Sequence, residues 1–121
     1  MNLETLKTVL DPKIILTNLM DDKELSATIF EGFLADIPIQ IKALEDYLKE
    51  QSAKDVERQA HTIKGASANV GATALQDIAF EMEKAGKAGD LDAVQDDIPE
   101  LLAGFATLKK AIEQVLEEWK E

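Results

Sequence analysis

The chain has 121 residues with 24 acids, 13 bases and one histidine, for a formal net charge of −11. That balance disfavours nucleic acid and anionic lipid, which are bound through clustered Lys and Arg, and leaves a protein or a small molecule as the expected partner. The absence of cysteine excludes disulfides, thiolate metal sites and cysteine nucleophiles, and one histidine excludes chemistry that needs two imidazoles.

Taken in chain order, the signals are helical throughout. Asp11-Pro12 pairs a capping acid with proline at the first helical position and predicts a short helix to about Met20. Residues 1–10 are expected to add at most a small helical cover. Asp21 with Glu24 resembles a capping box for the next helix. Its buried stripe is expected to be Leu25, Ile29, Phe33, Ile37, Ile41, Leu44 and Leu48, with a kink near Pro38. Ser52 with Asp55 marks a third start, Val56, Ile63 and Val70 its buried stripe, and Gly71 its end. Leu75, Ile78, Ala79 and Met82 form the next apolar face, which ends in Gly86-Lys87-Ala88-Gly89-Asp90. The last face carries Ile98, Leu101, Leu102, Phe105, Leu108, Ile112, Val115, Leu116 and Trp119. Its cap is either Asp97 before Pro99, or Asp90 with the helix running through Pro99.

Four long amphipathic helices with short links imply an all-α, antiparallel up-and-down four-helix bundle with one or two short extra helices at the N-terminus. No composition break divides it, so one domain over residues 1–121 is expected. No apolar run reaches roughly 18 residues, the length of a membrane span. The first residues lack the basic start and apolar run of a secretory signal. A monomeric cytoplasmic protein is the expectation.

The informative stretch begins at His61. The 19 residues from Arg58 to Gln76 contain no acid, and their only bases are Arg58 and Lys64. A gap of this kind in an acidic surface suits a bound anion. On a helical wheel Val56, Ile63 and Val70 lie almost opposite His61, which places the imidazole outward. Lys64 and Gly65 stand at i+3 and i+4, beside His61 across one turn, and Ala68 continues the stripe. A glycine inside a helix costs about 1 kcal/mol relative to alanine, so Gly65 needs a reason. Without a Cβ there, another protein can approach the ring. An imidazole is partly unprotonated near neutral pH and serves as a nucleophile, and Lys64 can neutralise an arriving phosphoryl group.

His61-Thr62-Ile63-Lys64-Gly65-Ala66-Ser67, with Gly71 four residues on, resembles the signature of histidine phosphotransfer (HPt) domains, the phosphorelay modules of two-component signalling. The Asp11-Pro12 start, Phe33-Leu34 before Ile37-Pro38, and Gly89-Asp90-Leu91 extend the resemblance over nearly the whole chain. It implies that His61 is phosphorylated, at Nε2, and that Lys64 steadies the phosphate. It also implies that Gly65 and Gly71 permit docking and the helix turn. The implied partners are receiver domains of response regulators or hybrid histidine kinases, which bring the magnesium ion, with no cofactor or metal on this chain. Ser67 fits a small position and is expected to pack between helices. Gln76, Phe80, Glu83 and Lys87 share one edge of the following helix. Glu83 there would repel a phosphohistidine unless Lys84 or Lys87 compensates.

Two other classes fit less well. A catalytic histidine kinase places an acid after its histidine and continues into a nucleotide-binding domain, whereas Thr62 follows here and no Gly-rich nucleotide segment is present. The chain is thus expected to be a phosphocarrier without turnover of its own, free-standing or excised from a hybrid kinase. A non-catalytic interaction bundle fits the acidic surface but leaves Gly65 and the acid gap unexplained.

Overall fold

Asp11 caps the first described helix as its sequence suggests: its carboxylate accepts the Lys13 N–H at 3.1 Å and Pro12 occupies the first turn. In this computed structural model residues 10–120 are described, and among them five helices and no strand are found. These are α1 (Pro12–Asn18), α2 (Lys23–Lys49), α3 (Ala53–Asn69), α4 (Thr73–Lys87) and α5 (Leu91–Trp119). Of the expected N-terminal cover, residues 1–9 lie outside the described residues, while Leu10 is fully buried.

The bundle closes as a ring, with α2 beside α3 and α5, and α4 beside α3 and α5. Three-residue links at 50–52, 70–72 and 88–90 join the long helices and make sequential neighbours antiparallel. One buried cluster draws on all five helices, including Ile15, Phe30, Ile63, Met82 and Ile112. Burying a side chain such as Ile63 contributes on the order of 1.5–3 kcal/mol. Val56, Ala60, Ile63 and Val70 turn one face of α3 inward, which leaves its opposite face, with His61, in solvent.

Several expectations on α2 are corrected. The cap is Asp22, which accepts the Leu25 N–H at 2.9 Å, because Met20 and Asp21 both take positive φ values and form the α1–α2 turn. Leu25 and Ile29 are exposed, and Ser26 and Phe30 take the inward positions instead. Either set continues Phe33 and Ile37 at a spacing of three or four, and packing against the neighbouring helices, with Phe30 against Trp119, selects between them. The helix continues through exposed Pro38, where water can serve the carbonyl left without a donor. In α5 the earlier start is the one adopted: Asp90 caps Ala93 N–H at 3.1 Å and the helix runs through Pro99. Leu102 is exposed, against expectation, whereas Trp119 is partly buried and stacks on Phe30 at 5.7 Å.

The α3–α4 turn is clamped by the N-terminal segment. Asp11 N–H donates to the Gly71 carbonyl at 2.8 Å, and Asn18 Nδ2 reaches the Asn69 carbonyl at 3.4 Å. Gly71 has φ +77°, and a Cβ there would lie 2.3 Å from the Asp11 carbonyl oxygen. Both the left-handed conformation and the close approach call for glycine. Gly71 therefore serves the turn and the clamp, and it is buried.

Candidate functional site

His61 projects from the middle of α3 with 64% of its side chain exposed. Its position relative to α4 follows from Gly86, where a Cβ would stand 3.1 Å from the Glu57 backbone nitrogen. The small residue lets the antiparallel helices approach, and Glu83, one turn back from Gly86, arrives beside His61 and Lys64. Glu83 Oε2 lies 2.8 Å from His61 Nδ1, and Oε1 lies 2.7 Å from Lys64 Nζ. The second contact has ion-pair distance without hydrogen-bond alignment, and Oε1 is shielded from solvent.

The charge state of Glu83 fixes the state of the imidazole. Burial pushes its pKa up, but the close contacts and positive charge that Lys64 and His61 offer the carboxylate together outweigh burial and hold it below the ordinary carboxylate value. Glu83 is then ionised at neutral pH and can only accept, so Nδ1 must carry the proton that points to it. In a neutral ring the lone pair is left on Nε2, the outer nitrogen and the one able to attack.

Lys64 lies down rather than standing free. Its side chain is 26% exposed, and its ammonium sits between the Glu83 carboxylate and the face of Phe80, 4.8 Å from the ring centroid. Lys84 Nζ lies 4.5 Å from the centroid of the same ring. Lys87 is exposed in the last turn of α4, where a cation suits the helix dipole. Gly65 is exposed, and a Cβ there would meet nothing within 4 Å, so the surface next to His61 is open. Ala68 is half-buried on α3. Ser67 is fully buried, its hydroxyl donating to the Ile63 carbonyl at 2.8 Å, which makes it a packing residue remote from the imidazole.

The acid-free stretch is therefore acid-free only along the chain. Arg58 pairs with Asp55 at 2.7 Å, and α4 delivers Glu83 to Lys64. A shallow groove lined by Lys54, Glu57, Arg58, His61 and Glu83 runs beside the imidazole, with both signs of charge on its walls. Among the described residues no group of three His, Cys, Asp or Glu side chains could hold a metal ion, and no helix is long and apolar enough to cross a membrane. The direct contact of Glu83 with His61 and the place of Phe80 between two lysines were not apparent from the sequence. Their i, i+3, i+4 spacing on α4 was the available signal.

Comparison with known proteins agrees with this all-helical fold. The family pattern described as Hpt domain matches residues 28–118. Histidine-containing phosphotransfer protein B from Pseudomonas aeruginosa PAO1 superposes with a TM-score of 0.84 at 22% identity, over 91% of this chain and 96% of that one. The HPT domain of a sensor hybrid histidine kinase from Shewanella gives a TM-score of 0.76 at 24% identity, over 93% and 97%. At these identities the likeness concerns the fold. The search of curated proteins gave no match.

Proposed function

Because this chain belongs to the Hpt domain family, whose role is phosphotransfer in two-component signalling, we propose that it is a phosphorelay intermediate which takes a phosphoryl group from a receiver-domain aspartate onto His61 and passes it to another receiver. The observation that carries this reading is the His61–Glu83 contact, which leaves Nε2 as the exposed nucleophile.

In the forward step the Nε2 lone pair attacks the phosphorus of the aspartyl phosphate. The bond between phosphorus and the carboxylate oxygen breaks, and the receiver recovers its carboxylate. The ring gains positive charge while keeping its Nδ1 proton, and the Glu83 carboxylate at 2.8 Å stabilises that charge. Lys64 can exchange its contact with Glu83 for one with a phosphoryl oxygen, which answers the repulsion expected of a carboxylate at this place. Open space at Gly65 admits the receiver surface. Any magnesium ion would be held by the receiver's own acids. Transfer in the reverse sense regenerates neutral His61, so the chain turns nothing over by itself.

The test is phosphotransfer from a labelled receiver to the whole chain. An acid-labile, base-stable adduct is expected, and His61→Gln should abolish it; label that persists in the variant refutes the assignment.

A further inference from the structure

Phe80 is a large apolar side chain left 45% exposed on α4, and the core does not use it. Its ring contacts two ammonium groups of separate origin. Lys84 reaches it from one turn further along α4, and Lys64 reaches it from α3. Glu83 completes the cluster by holding Lys64 at 2.7 Å. Lys84 makes no ion pair among the described residues. Lysine side chains on a helix surface are long and mobile, and a charged group serves a reaction only when it is already in place. Here one aromatic ring holds two cations, and the carboxylate that contacts His61 also holds one of them, Lys64, in a chain whose net charge is −11.

We propose that Phe80 is a positioning residue for phosphoryl transfer at His61: its ring holds the Lys64 ammonium beside Glu83, and carries Lys84 as a second cation on the same ring. When a phosphoryl group sits on Nε2, Glu83 keeps the Nδ1 proton, and Lys64 swings from Oε1 to a phosphoryl oxygen while staying near the ring. Lys84 remains on the ring and adds a second positive charge. The lysines thus offset Glu83, and Phe80 acts through them without touching the reacting atoms. The proposal rests on the phosphocarrier reading above.

The experiment uses the whole chain and phosphoramidate as donor. In that reaction the P–N bond breaks, ammonia leaves and the Nε2–P bond forms, so no docking surface is involved. Phe80→Leu keeps an apolar side chain but removes the π face, and Phe80→Tyr keeps both. In the wild type the ε-methylene protons of Lys64 and Lys84 are expected at upfield positions from the ring current. Phe80→Leu should abolish both shifts and slow phosphorylation about two- to five-fold at unchanged melting temperature. Phe80→Tyr should retain the shifts and the rate. In a Lys64→Ala background the Phe80→Leu effect should shrink, because the two changes share one path.

A wild-type rate in Phe80→Leu overturns the proposal alone, as do lysine resonances without ring-current shifts. A defect seen with a receiver donor and absent with phosphoramidate also overturns it, by assigning Phe80 to docking. Failure of the wild-type chain to be phosphorylated by either donor overturns the phosphocarrier reading, and the proposal with it.

Discussion

Replacing Glu83 with glutamine tests the central electrostatic argument, because it keeps the size and an acceptor oxygen while removing the charge. The carboxylate lies 2.8 Å from Nδ1 of His61. A full unit charge on the ring at that distance would interact by about 6 kcal/mol at an effective dielectric of 20, and by about 1.5 kcal/mol in bulk water. With 64% of the His61 side chain exposed, the watery limit is the better guide. Only part of the ring charge has developed in the transition state, and the Lys64 charge opposes the carboxylate. A loss of about 0.5–1.5 kcal/mol remains, a slowing of roughly 2- to 12-fold in phosphoryl acceptance. The assay is the time course of His61 phosphorylation with Glu83→Gln, alongside imidazole nitrogen shifts that report which ring nitrogen holds the proton. In Glu83→Ala, which leaves no acceptor, the proton should redistribute between the two nitrogens. A wild-type rate in Glu83→Gln together with an unchanged tautomer in Glu83→Ala would refute the role assigned to the carboxylate.

Three further expectations concern folding and docking. Gly65→Ala should stabilise the bundle by up to about 1 kcal/mol in thermal unfolding, since alanine is the better helix former and its Cβ meets nothing. Gly65→Gln should fold yet transfer poorly from a receiver, and loss of stability in both variants would place glycine in an internal contact instead. Gly71→Ala should lower stability by about 1–3 kcal/mol or more, because φ +77° and the 2.3 Å approach to the Asp11 carbonyl both oppose a side chain; an unchanged melting temperature would contradict the clamp. For Glu83 the folded pKa lies below the ordinary 4.5, so its stabilising contribution is present above that pH and is lost as pH falls through the lower folded value. Acid unfolding curves of wild type and Glu83→Gln should therefore be separated above pH 4.5 and converge as pH falls below it through the lower folded value; parallel curves would show that the carboxylate is not linked to folding.

Much of this molecule is determined locally along the chain. The caps at Asp11 and Asp90 work through side chains two or three residues from their targets, and sequence spacing encodes such contacts directly. The inward face of α3 follows from Val56, Ile63 and Val70, because a period of 3.6 fixes which residues share a side, and with it the outward position of His61. The motif around His61 and Lys64 named the family from the same few residues. By contrast, which side of α2 is buried near Leu25 and Ile29 depended on packing between helices, with Phe30 seated against Trp119, which apolar spacing along the chain does not reveal.

What only the tertiary structure decided is the company His61 keeps. Along the chain 22 residues separate it from Glu83, and an acid-free stretch surrounds it. The carboxylate arrives because Gly86 lets α4 approach α3 closely and sets the register between them. Helix periodicity specifies which face turns inward, whereas register between two helices is set by the close packing of both. The proton on Nδ1, the resting place of Lys64 and the pairing of two lysines on Phe80 all follow from that register.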